Sequence, residues 1–226
     1  MKIMVDIADE YRLKLNFSTE RASRAIQESM KNVHGNEQFF FDGISGKRAF
    51  RNPVTFVSNF YLTLPTYICP THGDLTTDNI IVDQLGQVWL IDFGATGEGH
   101  ILRDIAALDF SIRCGILLDG QATMQERLEL EELLTTPATF DQLKDLPNRM
   151  ETENVHLGKV YEVILGLRKL GLELVDQNRN ADIREYYVAL LYLSLNALKF
   201  FSLTSMQRHH ALLSAAIHAE ALMNAR

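Results

Sequence analysis

Three polar side chains stand around one apolar hairpin in "HGDLTTDNIIVDQLGQVWLIDFG", residues 72–94. Four residues separate Asp74 from Asn79, and Asp92 follows the second apolar run. Two carboxylates and an amide carbonyl are hard oxygen donors, the kind magnesium prefers. Phosphoryl transfer from ATP needs such a set. Oxygens hold the cation that neutralises the phosphate chain, and a carboxylate orients the acceptor hydroxyl and takes its proton.

Order and spacing say more than composition. Asp74 to Asn79 reproduces the D-x-x-x-x-N interval of a kinase catalytic loop, with His72 two residues ahead of the aspartate. Asp92-Phe93-Gly94 then reproduces D-F-G at the end of the next strand. Each of the three is individually an ordinary turn residue, because Asp and Asn bond to nearby backbone. Thr76 and Thr77 read as loop fillers rather than nucleophiles. "GATGEG" (94–99) and "GISGK" (43–47) match neither G-x-G-x-x-G nor a P-loop, so the first is expected to be a flexible loop.

The elements that must position this set are predicted as follows. Residues 1 to about 34 are expected to be helical, with Ser18 as N-cap, Glu20 in the first turn and Gly35 past the end. Residues 35–66 mix aromatics with Gly, Asp and Asn, which predicts loops and a short hairpin at Asp42-Gly43, and Pro53 opens a helix. "TYIC" (66–69) reads as a short buried strand. "NIIVD" and "QVWLID" read as strands joined by "QLG", and "THGDLTTD" as a loop. From residue 100 onward the pattern is helical. Ile105, Leu108, Ile112 and Ile116 mark one face, and further helices are predicted over 122–134, 154–171, 182–203 and 206–225. The apolar run "YYVALLYLSLNALKFFSL" belongs to a core helix. Trp89 and Cys114 are expected in the core. His209, His210 and His218 are expected on a solvated face, as are the glutamates of 126–132.

The fold class is thus α+β, predominantly helical, with a small β-hairpin region at residues 67–93. Residues 1–66 form an N-terminal helix and loop segment packed on a body of 67–226, itself divided into a catalytic hairpin (67–99) and helices (100–226). The net charge of −7 argues against nucleic acid or an acidic membrane as partner. Cys69 and Cys114 lack zinc-ligand or C-x-x-C spacing and read as free buried thiols. No secretory leader or membrane-spanning run is apparent, so the chain is expected to be cytoplasmic.

"HGDLTTDNIIVD" followed by "VWLIDFG" resembles the catalytic core of the aminoglycoside phosphotransferase and choline kinase group of the protein-kinase-like fold. With "NPVTFV" before it and "IDFGATGEGHILRDIAALD" after it, the stretch is also similar to the phosphotransferase-like ternary complex associated domains of bacterial signalling proteins. The resemblance is specific over about 50–113. It implies a kinase-like C-terminal lobe with ATP and Mg²⁺ as cofactors. Asp74 would be the catalytic base, Asn79 and Asp92 would bind the metal and so the nucleotide, and His72 and Asp104 would give structural support. The acceptor would be a hydroxyl of a small molecule or a protein. The N-terminal lobe of that fold, with its glycine-rich loop and strand lysine, has no counterpart ahead of His72. Lys2, Lys14, Lys31 and Lys47 are the available phosphate contacts there. The chain is therefore expected either to be a piece of a longer kinase, to take its missing lobe from a protein partner, or to be a catalytically inactive scaffold module.

Overall fold

The computed structural model describes residues 2–30, 33–34, 37–175, 182–200 and 202–224. Lys31 and Gly35 lie outside them, as does the side chain of Lys47. The fold is α+β and predominantly helical. In chain order it runs β1 (Ile3–Asp6), α1 (Ile7–Lys14), α2 (Thr19–Ser29), β2 (Val33–His34), β3 (Gln38–Phe39), β4 (Phe50–Arg51), α3 (Pro53–Val57), β5 (Thr63–Thr66), β6 (Ile68–Thr71), β7 (Ile80–Val82), β8 (Val88–Leu90) and β9 (Gly97–His100). Five further helices complete it: α4 (Arg103–Phe110), α5 (Met124–Leu134), α6 (Val155–Val175), α7 (Arg184–Ala197) and α8 (Ser205–Asn224).

The expectation of one helical stretch over 1–34 is corrected. Residues 3–6 form a strand antiparallel to β5, with Ile3 opposite Thr66 and Asp6 opposite Thr63. Three apolar residues carry too little periodicity to announce a strand, and the pairing with β5 decides it. Asp6 then caps α1 by accepting from Ala8 N at 3.0 Å. Ser18 caps α2 as expected, accepting from Arg21 N at 3.2 Å. Pro53 stands in the first turn of α3. The other strands pair as β2–β3–β4, β6–β9 and β7–β8, all antiparallel. Residues 97–99, expected in a flexible loop, are instead part of β9 (Gly97–His100), held against β6.

The helical body is organised around α7 and α8, whose mutual packing is the most extensive in the molecule. Tyr186 to Tyr192 of α7 are buried without interruption, and so are Ala211 to Ala219 of α8. The alanines let the two backbones approach closely. The N-terminal segment is tied to this body through Tyr11 and Glu185. Tyr11 Oη and Glu185 Oε2 bond the two ring nitrogens of buried His100, at 3.1 and 3.0 Å.

On the predicted face of the helix after β9, Ile112 is buried and Ile105 and Leu108 pack against the core, but Ile116 departs from it. Ile116 is 50% exposed. The side turned inward carries Ala106, Asp109 and Arg113, all buried. From Ser111 to Ile116 the helix widens into a π-helix. Arg113 on that turn bonds Asp109 and Glu131, and accompanies Ser214 Oγ at 3.0 Å. Arg168 Nε and Tyr186 Oη each donate to Asp109 Oδ2 at 2.8 Å. His210 Nε2 lies 3.0 Å from Glu131 Oε1, and Arg127 Nη1 lies 2.8 Å from His210 Nδ1. Three expectations are thereby corrected: Glu131, His210 and His218 are fully buried, not solvated, and His209 is half-buried. A charged residue on a helix reads as solvent-facing unless its partner is known; Glu131 and His210 find theirs on other helices, and His218 bonds Ser214 of its own helix. Cys114 is buried as expected, whereas Cys69 is only half-buried. Among the described residues no helix is long and apolar enough to cross a membrane.

Candidate functional site

Strand β6 delivers His72, Gly73 and Asp74 into a loop, and three separate pieces of the chain converge on it. The first is the start of α4. The Asp104 carboxylate accepts from His72 N at 2.7 Å and from Gly73 N at 2.9 Å. The second is the segment after β8. His72 Nε2 lies 2.9 Å from Ile91 O. A carbonyl only accepts, so Nε2 carries a proton and donates. The imidazole also rests against Phe93, with ring centroids 4.8 Å apart. The third is the π-helix. Ser111 Oγ accepts from Thr77 N at 3.0 Å and bonds Thr77 Oγ1 at 2.8 Å.

Gly73 has a physical reason to be glycine. Its φ is +87°, and a Cβ there would stand 2.1 Å from Ala95 O. The backbone after Asp92 occupies the space a side chain would need, so loop and turn approach as they do only with glycine between them.

Asn79 links the two halves of the set. Its Nδ2 donates to Asp74 O at 2.7 Å. That bond fixes the amide orientation, because only the NH₂ can face a carbonyl. Oδ1 is therefore turned away from the loop backbone and left for another partner. The Asn79 backbone carbonyl meanwhile accepts from Ile91 N at 3.1 Å, beside Asp92 in the chain. Asp92 itself adopts φ 61° and ψ 61°, the left-handed region, which aspartate tolerates better than most side chains. Asp74 and Asp92 are both exposed, and neither carboxylate has a hydrogen bond or ion pair among the described residues.

The structure thus brings His72, Asp74, Asn79, Asp92 and Asp104 into one hydrogen-bonded region. Among the described residues the two carboxylates have no partner, and the amide is oriented by its bond to Asp74 O. This donor set is all oxygen and suits magnesium. Among the described residues no group of three His, Cys, Asp or Glu could hold a metal by itself. A magnesium ion bound by one or two protein oxygens and by substrate phosphates needs no such cage. Of the upstream lysines, the described Lys2 and Lys14 make contacts elsewhere. Lys14 Nζ bonds Glu98 O, and Lys2 Nζ lies over the Tyr67 ring at 5.4 Å.

The β7–β8 hairpin contradicts one expectation. Trp89 is 56% exposed, not a core anchor. Its neighbours Ile81, Val82, Val88, Leu90 and Phe93 are exposed as well. A continuous apolar run reads as a strand buried on both faces. Here the hairpin projects from the body with both faces open. No local pattern marks Ser111 as an anchor of the loop. Its spacing from Thr77 is long-range, and only the π-helical turn places it.

Neither a curated protein nor a solved structure matches the chain. The family model of ternary complex associated domain 9 matches residues 21–199, well over half of the sequence and all five residues of this region. The chain therefore belongs to the ternary complex associated domain 9 family.

Proposed function

We propose that this chain is a kinase-like lobe that transfers a phosphoryl group from Mg-ATP to a hydroxyl of a small molecule or a protein. The observation that carries the reading is the combination of two unpaired carboxylates, Asp74 and Asp92, with an Asn79 amide whose oxygen is oriented by the loop itself. Asn79 Oδ1 and the Asp92 carboxylate would hold the cation. Magnesium, when bound with the nucleotide, neutralises the phosphate charge. Asp74 would orient the acceptor hydroxyl and take its proton, and His72 and Asp104 would keep the loop rigid. Rate would come from positioning and charge stabilisation rather than from a covalent intermediate.

Calorimetry of the chain with Mg-ATP and Mg-ADP tests this. Binding heat that is lost in Asp92→Asn, together with turnover lost in Asp74→Ala, is the expected result. Turnover unchanged in both Asp74→Ala and Asp92→Ala overturns the assignment.

A second reading has its own observation. The bare apolar hairpin around Trp89 favours a catalytically inactive, kinase-like binding module in a bacterial signalling complex, or a lobe that meets its ATP-covering half on this face. The family description, ternary complex associated, fits assembly with partners. Absence of Mg-nucleotide heat combined with stable capture of a defined partner would favour the module.

A further inference from the structure

One groove of the molecule lies away from the candidate catalytic loop. It measures about 530 Å³ and lies between α2, the end of α7 and the start of α8, and none of Asp74, Asn79 or Asp92 lines it. Its walls carry Arg21, Arg24, Lys199 and Arg208, against one carboxylate, Glu28. That is a local excess of positive charge on a chain whose net charge is −7.

Arg12, Arg48, Arg113, Arg168 and Arg184 each form an ion pair with a carboxylate. None of Arg21, Arg24, Lys199 and Arg208 forms one among the described residues. Arg51 and Arg103 also lack an ion pair with a carboxylate among the described residues, but these four share one groove. Glu28, although it shares the groove, forms an ion pair with none of them among the described residues. Burial and then the neighbouring Arg21 guanidinium hold the Lys199 ammonium below its usual pKa. The two charges are therefore close enough to repel. Lys199 follows the carboxyl end of α7, where a cation is favoured. That accounts for one of the four and leaves the three arginines unexplained. Like charges gathered in a concave site are relieved by an anion between them.

Geometry narrows the anion. Arg21 and Arg24 are three residues apart on α2 and so share a face, and Arg208 comes from the first turns of α8. Three planar guanidinium forks and one point charge are suited to bidentate contact with phosphate oxygens. The volume lies in the range of small-molecule pockets, about 300–1,000 Å³. Ala25 and Leu198 add an apolar contribution to the lining.

We infer that this groove binds a compact molecule carrying at least two phosphate groups, at a site separate from the candidate catalytic loop.

Calorimetry with sodium tripolyphosphate in magnesium-free buffer containing a chelator tests it. Saturable one-to-one binding that weakens with salt is expected. Arg24→Ala with Arg208→Ala should raise Kd on the order of tenfold or more, since each removes a charge-assisted contact. Asp92→Asn should leave Kd unchanged, so failure here is distinguishable from failure of the phosphotransfer reading. Unaltered thermal unfolding of the double variant shows that its fold is intact. Arg24→Lys with Arg208→Lys retains the charge and should recover only part of the affinity. Absence of saturable binding overturns the inference. So does binding that survives the double alanine variant, binding lost in Asp92→Asn, or citrate binding as tightly as tripolyphosphate.

Discussion

Asp104 holds the backbone N–H groups of His72 and Gly73 with its two carboxylate oxygens, at 2.7 and 2.9 Å, across thirty-odd residues of sequence. One side chain at the start of α4 thereby fixes where Asp74 leaves β6. Asp104→Asn keeps the shape but replaces one acceptor by an NH₂ that faces an N–H. A buried donor left without its acceptor costs about 1–3 kcal/mol, so the variant should lose stability of that order in urea denaturation. Amide exchange of His72 and Gly73 should accelerate far more than that of α7. Equal exchange in wild type and variant would show that Asp104 does not hold the loop.

Gly73 and Gly86 separate two effects that are usually confounded. Both have positive φ, +87° and +77°, but a Cβ at Gly73 would meet Ala95 O at 2.1 Å while one at Gly86 would meet nothing. Gly86→Ala should therefore cost only the left-handed penalty, about 1–2 kcal/mol. Gly73→Ala should cost distinctly more, because the backbone after Asp92 must move as well. Similar unfolding midpoints for the two variants would contradict the close approach.

Much of this was legible in the sequence, for identifiable reasons. Ser18, Pro53 and the turn at Asp83–Gln87 announce themselves because caps and tight turns are local chemistry. The long helices α5, α6 and α8 carry enough periodicity to be located within a few residues, whereas α7 ends at Ala197, six residues before its expected end. The site residues were legible as spacing, yet Asp104's grip on the loop and Ser111's bond to Thr77 are long-range facts. What misled was polarity read one residue at a time. Glu131 and His210 look solvent-facing until Arg113 and Arg127 are found opposite them, and His218 until α8 is seen to be buried around it. Trp89 looks buried because nothing in a strand's own sequence says whether a second layer covers it.

The buried Arg113 is the next test. It joins Asp109 and Glu131, all three fully buried. Removing one partner of such a set leaves charge unpaired in the interior, which costs about 3–5 kcal/mol. Arg113→Ala should approach that loss in denaturant unfolding. Arg149→Ala, which removes the largely exposed pair with Glu162, should stay within about 0.5 kcal/mol of wild type. Equal effects would mean that the interior set is solvated.

Trp89 is the only tryptophan of the chain, so its fluorescence reports on the hairpin alone. The native protein should emit like a solvated indole and be quenched by iodide nearly as well as the unfolded chain. Trp89→Ser should change stability by no more than about 0.5 kcal/mol, as for surface positions generally. Any partner that covers this face should shield Trp89 from iodide. A native Trp89 already protected would place the hairpin in a covered state.

Acid should destabilise the fold through its interior histidines. His218 Nδ1 lies 2.6 Å from Ser214 O, so Nδ1 carries the proton and donates, while Nε2 is buried without a partner. A second proton on Nε2 would create an unpaired interior charge. Burial accordingly pushes the His218 pKa down to about 4, against an opposing pull from Glu131 and with further lowering by Arg113 and Arg168. His210 is pushed in the same direction by burial, and its Nδ1 accepts from Arg127. The unfolded chain binds a proton near pH 6.5 that the folded chain refuses. Stability is therefore complete above that pH and declines as pH falls toward 4, by about 3 kcal/mol for His218 alone at the lower end. Below that, protonation of Asp109 and Glu131, whose pKa values their arginine partners lower, removes more. Urea midpoints measured from pH 7 to pH 4 should fall steadily. In His218→Gln the decline between pH 6.5 and 5 should be shallower than in wild type, whatever the variant's stability at pH 7. A midpoint independent of pH across that interval would mean that His218 is protonated in the native fold.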